Sequence, residues 1–187
     1  MKRIPTRIAT LFATTMLLFA TLGVMTAPAA SATTRCLTGP TRCWTEGFVY
    51  TQPAYIFIPK ICEYGDTQIQ ASTTSTGKPT TGVDSYSFAE TKTGSACQTL
   101  LKMPAHALAT RSVIYVANTA TGPATRLCYN TGYKYNTDLL YQAAAFSSNA
   151  HCGGHYAWNV SSKAIYVAGH WIYRTQTSPR IHCYGSC

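Results

Sequence analysis

Acidic residues are scarce in this chain. Asp and Glu together number 6 among 187 residues, against 15 Lys and Arg. The six are Glu46, Glu63, Asp66, Asp84, Glu90 and Asp138. None forms a pair spaced to put two acids on one strand face, so the two-carboxylate chemistry of glycoside hydrolysis has no candidate here. Glu63 and Asp66 fall on opposite faces of an extended segment and read as a solvated turn. There is no G-x-S-x-G elbow for a serine nucleophile. There is no repeated Gln-x-Trp of the kind lectins use. No block of Lys or Arg occurs, and a nucleic-acid footprint needs such clustering. Beyond the first 32 residues no apolar run is long enough to span a membrane.

What is present begins with a secretory pattern. Lys2, Arg3 and Arg7 precede an apolar run from Ile8 to Met25, and small residues then lead to Ala30-Ser31-Ala32, an A-x-A-type cleavage site. Cleavage after Ala32 leaves residues 33–187, a length suited to one domain or two very small lobes. An uncleaved anchor is the alternative, disfavoured by the short, threonine-diluted apolar run. The mature part keeps 12 basic residues against six acids, a net charge of +6 spread singly along the chain. That balance implies solubility and weak attraction to anionic surfaces.

All 8 cysteines lie after the leader: Cys36, Cys43, Cys62, Cys97, Cys128, Cys152, Cys183 and Cys187. An even count in an exported chain predicts disulfides formed in an oxidising compartment. Few charges and many Tyr, Thr, Ser and Ala describe a β-rich domain in which disulfides replace part of the core.

Internal similarity gives an expectation for pairing. Ile114-Tyr115-Val116-Ala117 recurs as Ile165-Tyr166-Val167-Ala168, each followed by a turn-rich stretch and a Cys-Tyr pair, Cys128-Tyr129 and Cys183-Tyr184. A fainter copy runs from Phe48-Val49-Tyr50 to Lys60-Ile61-Cys62-Glu63-Tyr64-Gly65. Cys97 to Cys128 and Cys152 to Cys183 both span 31 positions. Repeated β units would therefore carry Cys97–Cys128 and Cys152–Cys183, with Cys43–Cys62 as a shortened equivalent and Cys36–Cys187 joining the ends.

The expected fold class is all-β: a small disulfide-stapled domain of two or three pseudo-repeats of short antiparallel strands. Strands are predicted over Ala54 to Pro59, Thr67 to Ala71, Ser85 to Ala89, Ser112 to Asn118, His155 to Val160 and His170 to Arg174. Leu139 to Phe146 is ambiguous between strand and a short helix capped by Asp138. Ser72 to Gly82 reads as a flexible loop or, like 104–111, as a boundary between two lobes.

Candidate chemistry is sparse, and no catalytic set, metal site or cofactor is expected. His151-Cys152-Gly153-Gly154-His155 has i, i+4 histidines, but the glycines oppose the helix that would align them. A basic nuclease or toxin would draw on His155, His170 and His182 with Lys163. Aromatic residues offer more. Trp158, Trp171, Tyr156 and Tyr173, joined by Trp44 and Tyr166, are candidates for a protein-binding or sugar-stacking face, or else for cross-strand packing.

The leader, the cysteine-paired strands and the repeated Ile-Tyr-Val-Ala…Cys-Tyr pattern resemble small exported actinobacterial proteins of the spore-associated protein A type. They also resemble the adaptor subunit of secreted umbrella toxin particles. The second resemblance implies an assembly role without catalysis, joining other secreted proteins. The expectation is thus a secreted, non-enzymatic binding module whose partner is another secreted protein. It is not expected to bind specific nucleic acid, or a membrane once the leader is removed. A carbohydrate- or cell-wall-binding module is the first alternative, and a small basic toxin or nuclease the second. In the adaptor reading, the arm from Thr33 to Arg42 is free to add as a strand to a partner's sheet edge.

Overall fold

A computed structural model of the protein describes residues 32–37, 42–54 and 59–187. Residues 1–31, within the expected leader, and residues 38–41 of the arm lie outside the described residues, as do residues 55–58, the middle of the strand predicted at Ala54 to Pro59.

Aromatic and β-branched residues alternating with small polar ones give long strands, numbered here in chain order. One sheet runs β1 (Ala32–Cys36), β2 (Arg42–Gln52), β3 (Ile61–Thr73), β4 (Pro79–Thr93) and β5 (Thr99–Leu100), with β9 (Gln142–Ala150) also paired to β4. The other runs β11 (His170–Thr177), β10 (Tyr156–Val167), β6 (Leu108–Ala117) and β7 (Arg126–Asn130). In that second sheet β12 (Ile181–His182) pairs with β10, and β8 (Lys134–Tyr135) with β6. All pairings are antiparallel and no helix occurs among the described residues, so the chain is a small disulfide-stapled all-β domain.

Period-two burial decides where the sheets meet. Inward residues of β3 and β4 face inward residues of β6 and β10, and they sort into three zones. One apolar cluster gathers Ile69, Val83, Ile114, Val116, Ala157 and Ile181. Another gathers Ile61, Ala89, Met103, Leu108, Ile165 and Val167. Between them each strand contributes buried polar side chains: Thr67, Ser85, Ser87, Thr110, Ser112, Asn159, Ser161 and Lys163. Ser85 Oγ lies 2.7 Å from Ser112 Oγ across the gap. Asn159 Nδ2 donates to Gln68 O at 3.0 Å and Tyr86 O at 2.9 Å, while its Oδ1 accepts from Ser112 and Val113. A buried band whose polar atoms find one another is tolerated, whereas the same groups unpaired would each cost about 1–3 kcal/mol.

Several sequence expectations need correction. The disulfides are Cys36–Cys43, Cys62–Cys97, Cys128–Cys152 and Cys183–Cys187, so none of the four repeat-based pairings occurs. Sheet adjacency, not repeat spacing, selects the partners. Cys36 and Cys43 stand directly opposite in the β1–β2 ladder. Cys97 lies in the turn after β4, beside β3 and Cys62, whereas Cys128 sits on β7 in the other sheet. The described start of the arm is not free either, because β1 pairs with β2 from Ala32 to Cys36 and Cys36 is tied to Cys43.

Leu139 to Phe146 resolves as the approach to β9 and its first half. Ser72 to Gly82 is the β3–β4 hairpin, tightened by Thr74 N–H donating to Lys78 O at 2.8 Å and by Gly77 at φ +78°. Residues 104–111 carry the chain from the first sheet into β6 of the second. Glu63 and Asp66 do point to opposite faces, but within β3 and not in a turn; Glu63 is wholly buried. The two Ile-Tyr-Val-Ala segments lie on β6 and β10, which are neighbours in the second sheet.

Candidate functional site

The outer face of the second sheet carries aromatic residues towards both ends of β10. At the β10–β11 hairpin, Tyr166 stands opposite Trp171 and Ala164 opposite Tyr173. Ala164 is small, so the neighbouring rings close over it. Trp171 lies 5.5 Å from Tyr166, 5.9 Å from Tyr135 and 6.3 Å from Tyr173, ring centre to ring centre. Tyr133 continues the patch at 6.0 Å from Tyr173, with the Arg111 guanidinium 5.2 Å from its ring. The rings meet tilted or edge-on, the arrangement that aromatic quadrupoles favour. Beside them, Pro104, His106, Ala107, Tyr135, Tyr166 and Trp171 line a cleft of about 570 Å³.

The sequence candidates divide between this patch and a second one. Trp171 and Tyr173 belong to the patch, and Tyr173 is 54% exposed. Trp158 and Tyr156 point to the same outer side but sit near the other end of β10. Eight residues of strand, about 26 Å, separate Trp158 from Tyr166. Trp158 stacks on Tyr115 at 5.8 Å and is capped by Arg180 at 4.0 Å, which leaves it 9% exposed. Tyr156 packs edge-on against His182 at 5.0 Å. Trp44 lies on β2 in the other sheet, with Arg42 5.6 Å from its ring. The unforeseen members are His106, Arg111, Tyr133 and Tyr135. They are distant in sequence and join only because β8 pairs with β6.

Carboxylates on the described strands are confined to the first sheet, whereas basic residues occur on both. Among the described residues, the strands of the second sheet carry Arg111, Arg126, Lys134, Lys163 and Arg174 and no carboxylate. Glu46, Glu63, Asp66, Asp84 and Glu90 are all on β2, β3 and β4. Of these, Glu90 pairs with Lys92 at 2.8 Å, and Glu46 accepts from the Tyr64 hydroxyl at 3.0 Å. No protein-family model, curated protein or solved structure matches this chain.

The residues proposed for nuclease chemistry do not converge. His170 is at the β10–β11 hairpin, where it pairs with Val167. His155 and His182 are at the opposite end of β10, and His155 Nδ1 lies 3.1 Å from Gly185 O. Lys163 is sealed between the sheets. His151 contacts Thr81 instead of His155, at 3.4 Å. Among the described residues no three or more His, Cys, Asp or Glu side chains are grouped to hold a metal.

Lys163 is the most unusual residue of the interior. Its Nζ donates to Thr67 Oγ1 at 2.7 Å and also to Ser161 Oγ. Thr67 Oγ1 in turn donates to Gln176 Oε1 at 2.8 Å. Burial pulls the Lys163 ammonium down to about 7, against the opposing pull of Glu63 and Asp66. Burial likewise pushes the Glu63 carboxyl up to about 8, against Lys163 and Arg174, and both Glu63 oxygens lack a hydrogen-bond partner. Gly65 makes the room. A Cβ there would stand 2.6 Å from Lys163 Cδ and 3.0 Å from Gln176 Oε1.

Proposed function

We propose that this is a secreted, non-enzymatic binding and assembly module, adaptor-like, that docks an acidic exported protein on the outer face of its second sheet. The observation that carries the reading is the coincidence of exposed aromatics with one sign of charge. Trp171, Tyr173, Tyr166, Tyr135 and Tyr133 supply rigid contact area, and Tyr, Trp and Arg are the residues that dominate protein interfaces. Arg111 stands beside Tyr133 and Arg180 over Trp158 on that face, and among the described residues the strands of the sheet carry no carboxylate, which favours a partner of opposite charge. The four disulfides fit an oxidising, extracellular setting, and the leader pattern of residues 1–32 agrees with it.

Affinity capture from culture supernatant tests this, with native chain beside a Trp171→Ala/Tyr173→Ala variant of matched thermal unfolding. The expected result is an acidic protein held by the native chain, released by salt and lost with the variant. Capture that survives the double substitution would move the interface elsewhere.

A carbohydrate- or cell-wall-binding module is the second reading, favoured by the cleft between His106, Tyr135, Tyr166 and Trp171. Retention on insoluble cell-wall polysaccharide, reduced by Trp171→Ala and insensitive to salt, would select it over the first.

A further inference from the structure

The polar band holds a nucleophile, a base and an acyl group in one water-excluded chain. We propose that Thr67 and Gln176 close into an intramolecular ester that staples β3 of the first sheet to β11 of the second, with Lys163 as the base.

The geometry supplies each part. Thr67 Oγ1 donates to the Gln176 carboxamide oxygen at 2.8 Å, one bond from the carbonyl carbon it would attack. Gln176 is held from its other end, where Nε2 donates to Gly65 O at 3.3 Å. Lys163 Nζ is 2.7 Å from the same Thr67 oxygen. Thr67 and Lys163 are fully buried and Gln176 is nearly so. Burial leaves part of Lys163 unprotonated near neutral pH, and an amine in that form accepts the hydroxyl proton instead of donating to it. Glu63, held protonated by its own burial, does not bind the lysine as a carboxylate at that pH. Packing fixes all three groups, which removes the entropy cost of bringing an alcohol to an amide. Bulk water, which would hydrolyse the product, is kept out.

The step balances without a co-reactant. Lys163 Nζ takes the Thr67 hydroxyl proton as Oγ1 bonds to Gln176 Cδ. The tetrahedral centre collapses with cleavage of Cδ–Nε2, the proton passes from Lys163 to the leaving nitrogen, and ammonia departs. One C–O bond forms, one C–N bond breaks, and nothing is oxidised or reduced. The product would be a covalent link directly between β3 and β11, a connection that none of the four disulfides makes.

Intact-mass measurement of the exported full chain, folded at neutral pH and then reduced and denatured, tests the proposal. The expected mass is lower than the sequence mass by one ammonia. Thr67→Val and Gln176→Met should each show the full mass of their sequence, and Thr67→Ser should restore the loss. Thermal unfolding confirms that the variants are folded. Digestion should give a joined pair of peptides carrying residues 67 and 176, separable by alkaline hydroxylamine. A full-mass native protein would overturn the proposal. So would ammonia loss that persists in Thr67→Val, or a link that resists hydroxylamine, as an amide from Lys163 to Gln176 would.

Discussion

The middle of the second sheet inverts the usual arrangement, between two apolar zones that keep it. Antiparallel sheets with one face on the core normally turn apolar residues inward and polar ones to solvent. On β10 the inward residues Asn159, Ser161 and Lys163 form a polar stretch between apolar Ala157 and Ile165, while the outward series includes Tyr156, Trp158 and Tyr166. β11 repeats the contrast, with Gln176 inward and Trp171 and Tyr173 outward. The inner face is stabilised by hydrogen bonds of fixed direction, so it specifies how the two sheets register. The outer face leaves Tyr166 and Tyr173 exposed, the surface that the proposed binding role would use. Changes inside should therefore move stability, and changes outside should move binding.

The largest effect is expected from pH, through the two fully buried ionisable groups Glu63 and Lys163. The folded Glu63 keeps its proton to about 8 against an ordinary 4.5, so its contribution to stability is full below 4.5 and declines as pH rises towards 8. The folded Lys163 loses its proton at about 7 against an ordinary 10.5, so the folded state is penalised below 7 and recovers as pH rises towards 10.5. Together they give a contribution that falls from 4.5 to about 7, is level to about 8, and climbs beyond it. Unfolding midpoints of native and Glu63→Leu/Lys163→Met proteins across this range should differ by a curve with its minimum near neutrality. A flat difference would mean that the pair does not titrate as buried groups.

Gly65→Ala comes next. Its new methyl would meet Lys163 and Gln176, and overpacking at such a point costs about 3 kcal/mol. Urea unfolding measures this, and an unchanged midpoint would show that the lysine side chain can give way.

Ser112→Ala should cost about 1.5 kcal/mol, since it leaves Ser85 and Asn159 each short of a partner they now have at 2.7 and 2.9 Å. The same substitution at half-buried Ser162 on the outer side should cost less, as far as its bond from Arg111 allows.

Trp171→Ala should have the smallest effect on stability, under about 1 kcal/mol, because its neighbours Tyr166, Tyr135 and Tyr173 can close over the gap. Capture of the partner should nevertheless fall at least tenfold. A variant that loses stability but keeps binding would reverse the roles assigned to the two faces.

Much of the strand content is legible in the chain. Thr67 to Ala71 and Ser85 to Ala89 alternate visibly and lie in β3 and β4, and the Ile-Tyr-Val-Ala segments fall on β6 and β10. The face that turns inward is harder to read. Ser85 and Ser87 look like solvent positions beside Tyr86 and Phe88, yet the serines are buried and the rings lie outside. Alternation reveals a period of two but not its phase, and a polar interior makes hydrophobicity a poor guide to that phase. The aromatic patch is half legible for a similar reason. Trp158 and Trp171 are equivalent as residue types, but only Arg180 over one ring and Tyr115 beneath it bury the first of them.

The sequence alone determined the all-β character, the expected export route and the commitment of every cysteine to a disulfide, because composition, period and cysteine count are properties of the chain by itself. It also determined the shortage of acids that leaves glycosidase chemistry without a pair. Tertiary structure decided the rest. Which cysteines meet, that Lys163 and Glu63 share one buried band, that Gln176 reaches Thr67, and that Tyr133 and Tyr135 join Trp171 all depend on which strands lie side by side. Sequence distance carries little information about that: Thr67 and Gln176 are 109 positions apart and share a hydrogen bond. Strand adjacency is fixed by long-range pairing and by the packing of one sheet on another, and those energies exist only once the chain has folded.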